Sequence, residues 1–337
     1  MGLKISELVP KKDLDWDALK SKKVAVDASQ MLYQFLASIR QPDGTPLMDS
    51  QGRVTSHLMG LSSRIPNLML RGLKLIFVFD GKPPLLKVHE QEARAHRKRL
   101  AEEKLYEATQ EDDTALMSRY AKQTSRLSRE MVQESKDLLT AFGLPWVQAP
   151  SEAEAQAASL CKAGEAWAVS STDHDCLLYE APRIITNLTL ATQRKYASGA
   201  YTAVQPQLIE LAEVLKSLSL TQDQLMTLAL LVGTDYNVGG IRGIGPKKAL
   251  KLVQQYASRE QLFAELKPDF DWKEIVEVFR TMPVEKHLTL AWKPVHADKV
   301  KDILVSEHDF SEERVTKTLQ RLEGKGLKNQ AGLGAFL

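Results

Sequence analysis

Residues 150–175 read PSEAEAQAASLCKAGEAWAVSSTDHD, and this stretch places four acids around a segment predicted to be buried. Its opening motif, PSEAEA, predicts the start of a helix. The apolar run AWAVS predicts a strand that leads into an acidic pair. Acids at the end of a strand or the start of a helix are typical ligands of hard cations, which bind oxygen. The four acids are Glu152, Glu154, Asp173 and Asp175.

Two earlier segments repeat the pattern of a buried strand followed by an aspartate. They run from Lys22 to Asp27 (KKVAVD) and from Leu75 to Asp80 (LIFVFD). In open α/β sheets ligands bind beyond the carboxyl ends of the strands, so these aspartates and Asp173 are predicted to converge. The alternative is that each aspartate only caps a turn or a helix, but three strands with one pattern favour a common site. The predicted fold is α/β, with a central, mainly parallel sheet flanked by helices.

The segment from Leu85 to Phe142 contains neither glycine nor proline and is densely charged. Its first part predicts a helix that is polar nearly all round, which is typical of a solvated helix. The alternative is a helix standing over the acids. Lys87 and Arg94 would then share one face, because seven residues are about two helical turns. Residues 114–142 predict a further helix with a clearer apolar stripe.

A glycine-rich segment, GGIRGIGPKKAL at residues 239–250, follows a seventh acid, Asp235. The glycines permit tight turns, and the proline suits a helix start. Backbone N–H groups at that helix start, together with Lys247, Lys248 and Lys251, predict a phosphate-binding surface. It is not a Walker A loop, because Gly-Lys-Ser/Thr is missing. A purely structural turn is the alternative, but it would not need three nearby lysines.

Seven carboxylates without a histidine or cysteine ligand set predict Mg²⁺ or Mn²⁺ rather than zinc. Paired metal ions of this kind serve phosphodiester hydrolysis. So many neighbouring acids could not stay ionised together without cations. Glu154 has an alternative role, because Ser151-x-x-Glu154 is a capping-box pattern in which the glutamate only satisfies the helix start.

Composition limits the other possibilities. A net charge of +2 over 337 residues predicts that any contact with nucleic acid is local. The two cysteines, Cys161 and Cys176, lack metal-site spacing and suit a reducing, intracellular location. We find neither a signal peptide nor an apolar run of about 18 residues, so no membrane association is predicted. The alternative is membrane attachment through a lipid, because residues 1–6 match the loose myristoylation pattern.

Taken together, these motifs resemble those of structure-specific flap endonucleases of the XPG-type nuclease family, closest to the short archaeal form. The resemblance covers nearly the whole chain and rests on VAVDASQMLYQFL, FVFDGKPPLLK, PSEAEA, the Asp173-x-Asp175 pair and GTDYNVGGIRGIGPKKAL. It implies a PIN/5′-nuclease-like fold with a helical arch at about 85–135 and a helix–two-turn–helix DNA-binding element at about 222–258. We expect one nuclease domain over 1–325 and a flexible clamp-binding tail over 326–337.

The resemblance also implies a metal site of two Mg²⁺ (or Mn²⁺) ions. Its ligands would be Asp27, Asp80, Glu152, Glu154, Asp173, Asp175 and Asp235. Lys87 and Arg94 would contact the scissile phosphate. The implied DNA contacts are Tyr33, which would stack on a base, and Arg40, Arg242, Lys247, Lys248 and Lys251.

Three further features follow from the resemblance alone. Backbone carbonyls of Gly240, Ile241 and Ile244 would bind a monovalent cation such as K⁺. A processed Gly2 would pack near the active site. The tail resembles a sliding-clamp motif, with a leucine where a second aromatic residue is usual. Its residues are Gln330, Leu333, Phe336 and Leu337.

The predicted function is a Mg²⁺-dependent endonuclease that removes 5′ flaps at junctions of single- and double-stranded DNA in replication and repair. It would also have 5′–3′ exonuclease activity, and both reactions would proceed by two-metal phosphodiester hydrolysis. We expect a cytoplasmic, nucleoid-associated monomer that binds branched or flap DNA and a sliding clamp. The alternatives are a mainly 5′-exonucleolytic enzyme of the same architecture and a non-catalytic DNA- or clamp-binding adaptor. An adaptor has no reason to keep seven converging carboxylates.

Overall fold

A mixed sheet of seven strands forms the centre of the computed structural model, which describes residues 3–110, 116, 120, 124–188, 193–195 and 201–331. The strands, in chain order, are β1 (Lys12–Asp13), β2 (Lys23–Asp27), β3 (Lys74–Phe79), β4 (Trp146–Gln148), β5 (Ala168–Ser170), β6 (Arg183–Thr186), β7 (Gln193–Lys195), β8 (Tyr201–Ala203) and β9 (Gln207–Glu210). The order in the sheet is β1-β9-β6-β5-β2-β3-β4, while β7 and β8 form a separate pair.

Five consecutive strands of the sheet are parallel, from β6 through β5, β2 and β3 to β4 at the edge. Strand β9 runs antiparallel to both β6 and β1. The predicted mainly parallel α/β sheet is therefore confirmed. Helices cover both faces of such a sheet, which explains why its central strands read as continuous apolar runs.

The helices, in chain order, are α1 (Ala28–Ser38), α2 (Ser56–Leu70), α3 (Val88–Gln110), α4 (Arg129–Ala141), α5 (Ala153–Lys162), α6 (Asp175–Leu178), α7 (Leu211–Leu218), α8 (Gln222–Val232), α9 (Pro246–Gln255), α10 (Arg259–Leu266), α11 (Trp272–Thr281), α12 (Ala297–Lys301) and α13 (Glu312–Ala331). A 3₁₀ turn at Leu85–Lys87 leads into α3, and a π-helical turn at Asp302–Ser306 follows α12. Among the described residues, no helix combines the length and apolar character that crossing a bilayer requires.

Alternate residues of the central strands face two separate cores. Ala25, Ile76 and Val169 pack against the side formed by α5 and α7 to α11. Val26 and Phe77 point the other way, toward α1, α2, α4 and the C-terminal helices. Because the two layers cover both faces, the carboxyl ends of the strands remain the open edge where a site can form.

The predicted helix over 114–142 is wrong in extent. Residues 124–128 are irregular, and α4 begins at Arg129. Ser128 causes this start, because its side chain accepts a hydrogen bond from the Met131 amide at 3.2 Å and so caps the helix. The rest of that prediction, at 114–115, 117–119 and 121–123, lies outside the described residues.

The chain termini carry further corrections. Helix α13 continues to Ala331, so residues 326–331 of the predicted flexible tail are helical, and the backbone of Gln330 lies in that helix. Leu333, Phe336 and Leu337 lie outside the described residues, as does Gly2. The predicted clamp-binding and N-terminal contacts of these residues stay predictions.

Candidate active site

The first two aspartates lie at the ends of neighbouring strands. Asp27 is the last residue of β2, and the register pairs it with Val78, two residues before Asp80. Asp27 also caps α1, because its Oδ1 accepts the Gln30 N–H at 2.9 Å. Parallel neighbours that end together bring both carboxylates to the same edge of the sheet, as predicted from the sequence.

Helix α5 begins directly against Asp80, whose Oδ1 accepts the Ala153 N–H at 2.9 Å. The capping-box alternative for Glu154 is therefore wrong, because Glu152 is the N-cap residue and no N-cap side chain bonds the first turn. The Ser151 hydroxyl instead donates to the Lys82 carbonyl at 2.9 Å. Asp80, which follows β3, thus satisfies a buried backbone amide that has no partner within the helix.

Asp80, Glu152 and Glu154 form the tightest acidic group, since each offers an oxygen within 4.8 Å of the other two. The two glutamates can both face Asp80 because they occupy the N-cap and the first turn of α5, before the helix sends them to different faces. Carboxylate oxygens at this spacing suit Mg²⁺ or Mn²⁺, which prefer oxygen ligands.

The second acidic group lies in the loop after β5. Ser171 and Thr172 separate that strand from Asp173, so the predicted strand over 166–170 does not lead into the acid directly. The Asp173 side chain accepts the Asp175 N–H at 3.0 Å, and Asp175 Oδ1 accepts the Leu3 N–H at 3.1 Å. The N-terminal segment thus contacts the acidic cluster through Leu3.

The two acidic groups form one cluster, because the charges of their carboxylates affect one another's pKa values and several of these carboxylates are buried. Burial, followed by the negative charge of Asp80, raises the pKa of Asp27 well above its usual value, and Asp173 adds to this. Burial raises the pKa of Glu154 in the same way, with further increases from the charges on Asp27, Asp80 and Asp173. Carboxyl groups that share a dry site resist ionising together unless cations neutralise them.

Asp175 connects the seventh acid to this cluster. Burial raises its pKa well above the usual value, and the charges on Asp173 and Asp235 raise it further. The structure therefore brings the seven predicted acids together, although their role as metal ligands stays a prediction.

Two cations from the start of the arch contact this cluster. The Lys87 ammonium contacts Glu152 Oε2 and lies 3.2 Å from Asp235 Oδ2, which Arg94 Nη2 also contacts at 2.9 Å. Burial alone would raise the pKa of Asp235, but nearby positive charges, of which Lys87 is the largest and Arg94 is another, lower this pKa. Burial would likewise lower the pKa of Lys87, but Glu152, Glu154 and Asp235 raise it above the usual value.

These contacts decide between the two interpretations of the segment after residue 85. Lys87 belongs to the 3₁₀ turn before α3 rather than to the helix itself, yet it reaches the same carboxylate as Arg94. The start of the arch therefore stands over the acids, as the second interpretation predicted.

The predicted helix–two-turn–helix element is formed by α8 and α9, joined by residues 233–245. Gly239, Gly240 and Gly243 have φ values of 87°, 56° and 81°. A Cβ on Gly240 would lie 2.3 Å from the Leu231 carbonyl oxygen, so only glycine fits this turn. The Ile241 carbonyl accepts the Ile244 N–H at 3.0 Å. Binding of a monovalent cation by this turn stays a prediction.

The basic residues of this element lie on its surface. Lys247 and Lys248 are exposed, with Lys247 Nζ 3.6 Å from Glu7 Oε2 and Lys248 Nζ 3.4 Å from the Gly243 carbonyl. Arg242 and Lys251 are also exposed. These weak surface contacts leave the cations able to meet phosphates.

The two remaining predicted DNA contacts differ in their surroundings. The Tyr33 side chain is 42% exposed, and Lys98 Nζ lies 5.3 Å from its ring centroid, in a cleft that Arg94 and Arg99 also line. Arg40 donates to the Leu36 and Gly44 carbonyls and to the Ser125 hydroxyl at 2.7–2.8 Å. Arg40 thus holds two loops together, and its contact with DNA stays a prediction.

The sequence analysis missed Gln30, although it lies among these residues. Its side-chain oxygen accepts the Thr172 N–H at 2.7 Å, across to the loop that carries Asp173. Its position three residues after Asp27 indicates a place in the first turn of α1. No sequence pattern indicates its partner, which is 142 residues away.

Comparison with known proteins finds matches over nearly the whole chain. The XPG N-terminal domain matches residues 4–101, and the XPG I-region matches residues 143–235. A flap endonuclease 1 from Hyperthermus butylicus is 47% identical over 348 residues, covering 100% of this chain and 99% of that protein. A solved flap endonuclease-1 from Methanococcus jannaschii has a TM-score of 0.76 and 39% identity, covering 95% of this chain and 98% of the other. The catalytic core of Rad2 in complex with DNA substrate has a TM-score of 0.69 at 21% identity, covering 94% and 97%, a likeness of fold alone.

Proposed function

This chain belongs to the flap endonuclease 1 family and is a 5′ flap endonuclease, a hydrolase of phosphodiester bonds, and we propose that it acts with two divalent ions held by its acidic cluster. The observation that carries the proposal is the convergence of seven acids at the carboxyl edge of the sheet, with Asp80, Glu152 and Glu154 within 4.8 Å of one another. The seven acids offer carboxylate oxygens, and burial raises the pKa of Asp27, Glu154 and Asp175, so bound cations would favour the ionised forms of these three groups. Both properties fit Mg²⁺ or Mn²⁺.

When bound, paired ions of this kind would activate a water molecule and stabilise the leaving oxygen of the phosphodiester. The chain itself would do three things. Asp27, Asp80 and Glu154, whose negative charges act on one another, would fix the positions of the ligand oxygens. Lys87 and Arg94 would direct positive charge at the scissile phosphate from the arch side. Their cations already meet the cluster at Asp235, which supports this role.

The chain would recognise duplex and single strand through different surfaces. Exposed Lys247, Lys248, Lys251 and Arg242 beside the start of α9 would hold phosphates of the duplex, helped by the backbone N–H groups of that helix. A monovalent ion at Gly240, Ile241 and Ile244 would add positive charge to the same turn. The cleft around Tyr33 offers an exposed ring beside four cations, Arg94, Lys98, Arg99 and Arg126, which suits stacking of an unpaired base.

We propose that the enzyme acts on flap DNA in replication and repair and that it also trims 5′ ends. It would be a monomer in the cytoplasm, associated with the nucleoid. Its two cysteines are free and buried, which suits a reducing compartment. A sliding clamp would bind the C-terminal motif at Gln330, Leu333, Phe336 and Leu337. The sequence resemblance is the only support for that partner.

The test compares cleavage of 5′-flap, nicked and blunt DNA, with Mg²⁺ and with a chelator. We expect Mg²⁺-dependent cutting that is fastest on the flap, and no cutting with the chelator. Asp173→Ala should abolish cleavage and leave flap binding nearly unchanged, because the duplex is held elsewhere. Equal rates on blunt and flap substrates would favour the exonucleolytic alternative. Near-normal turnover of Asp173→Ala would remove that residue from the metal site.

A further inference from the structure

Gln30 joins two loops that carry acids of the cluster. Strands β2 and β5 are parallel neighbours, with Val26 paired to Ser170, so the loops that follow them meet at the carboxyl edge. The Gln30 backbone N–H donates to Asp27 Oδ1 at 2.9 Å. Its side-chain Oε1 accepts the Thr172 N–H at 2.7 Å, and the Ser171 hydroxyl lies 3.3 Å from the same oxygen.

The hydrogen bonds continue along the second loop toward the acids. The Asp173 N–H donates to Ser171 Oγ at 3.0 Å, and the Asp175 N–H donates to Asp173 Oδ1 at 3.0 Å. Ser171 is buried, so its hydroxyl has little water to bond instead. The oxygen of Gln30 thus anchors a continuous series of bonds that runs from one strand end to Asp175.

We propose that Gln30 is a positioning residue, whose side-chain oxygen holds the Ser171–Thr172 loop and so keeps Asp173 at a fixed distance from Asp27. The proposal rests on the proposed function, because that distance matters only if both acids hold the metal ions. Two carboxylates at one site repel each other, and the 171–173 loop leaves its strand before it reaches Asp173. Without a tether, repulsion would move this loop outward and weaken the site.

The chemistry of the contact predicts which substitutions preserve it. Gln30 uses only an acceptor oxygen toward the loop, so Gln30→Glu keeps the contact. Gln30→Leu removes the acceptor, and leucine remains a good helix former. Gln30→Asn keeps an amide but is one methylene shorter, so its oxygen falls short of Thr172. Gln254→Leu is the matched control for hydrogen exchange, because it removes a 2.9 Å side-chain bond to the Leu218 carbonyl, outside the two loops that Gln30 joins.

The first measurement is amide hydrogen exchange of residues 171–175, without metal and without DNA. We expect faster exchange at Thr172 in Gln30→Leu and Gln30→Asn, and exchange close to wild type in Gln30→Glu and Gln254→Leu. The second measurement is the Mg²⁺ concentration for half-maximal flap cleavage. It should rise by roughly 10- to 100-fold in the Leu and Asn variants, the range found when a partner of a metal ligand is removed.

A purely structural role predicts a different outcome. The thermal stability of the variants would fall, while the Mg²⁺ concentration for half-maximal flap cleavage by the folded enzyme would stay normal. That result, or unchanged exchange at Thr172 in both Gln30→Leu and Gln30→Asn, would overturn the proposal. Exchange at Thr172 that is as fast in Gln30→Glu as in Gln30→Leu would also overturn it, because the acceptor oxygen would then not be the group that holds the loop. Exchange is measured without substrate, so failure of wild-type flap cleavage would reject the proposed function and leave this test intact.

Discussion

Replacing Lys87 with methionine should make divalent metal bind more tightly and cleavage run more slowly. Methionine keeps the apolar stem of the lysine and removes its ammonium. That ammonium contacts Glu152 and lies 3.2 Å from Asp235 Oδ2, and only 14% of the lysine side chain is exposed. Both carboxylates are predicted metal ligands. A divalent ion must therefore compete with Lys87 for the same oxygens and must also overcome its positive charge.

The magnitude follows from the geometry. Unit charges 3.2 Å apart attract by about 5 kcal/mol at an effective dielectric constant of about 20. Only part of this is lost on metal binding, because the flexible lysine can move and keep some of its attraction. We expect metal affinity to rise roughly ten- to a hundredfold, or about 1.4–2.7 kcal/mol. Loss of a cation directed at the reacting phosphate should slow the chemical step by about 10²- to 10³-fold.

Calorimetric titration with Mg²⁺ measures the first effect, and single-turnover cleavage of saturated flap complex measures the second. Lys82→Met is the matched control, because it removes the same charge from an exposed position in the same segment. Arg94→Met should change both quantities in the same directions but less, because the Arg94 side chain is 39% exposed, against 14% for Lys87. Single-turnover rates of Lys87→Met that match wild type, or weaker metal binding, would refute the argument.

Three further predictions concern other parts of the chain. Lys247→Ala and Lys248→Ala should each reduce the slope of log K against log salt for duplex binding by about 0.9, and an unchanged slope in both would leave the hairpin as a structural turn. Deleting residues 330–337 should abolish calorimetric binding to a sliding clamp and leave clamp-free cleavage unchanged, whereas retained binding would place the contact elsewhere. Gly143→Ala should lower the free energy of unfolding by at least about 2 kcal/mol, because φ is 73° and the new Cβ would lie 2.0 Å from a carbonyl oxygen. Gly164→Ala, at φ 77° with open space around it, should cost less in the same denaturant titration.

Local patterns in the sequence were enough to predict the sheet and the acids. Buried runs that end at Asp27 and Asp80 identify parallel strands, and the general position of ligand sites in α/β sheets then predicts where their carboxylates meet. The glycines before Pro246 likewise predict a turn and a helix start from backbone requirements alone. Such predictions succeed because each depends on neighbouring residues and on one rule of topology.

Only the tertiary structure decided which side chains touch across these elements. Asp80 caps a helix that begins 73 residues later, Leu3 bonds to Asp175, and Gln30 bonds to Thr172. Each contact joins segments that are distant in sequence, and a polar side chain carries no local sign of a distant partner. The irregular residues 124–128 are a different case, because the cause is local. The Ser128 side chain caps the start of α4, but a serine in a stretch without glycine or proline is also compatible with an unbroken helix.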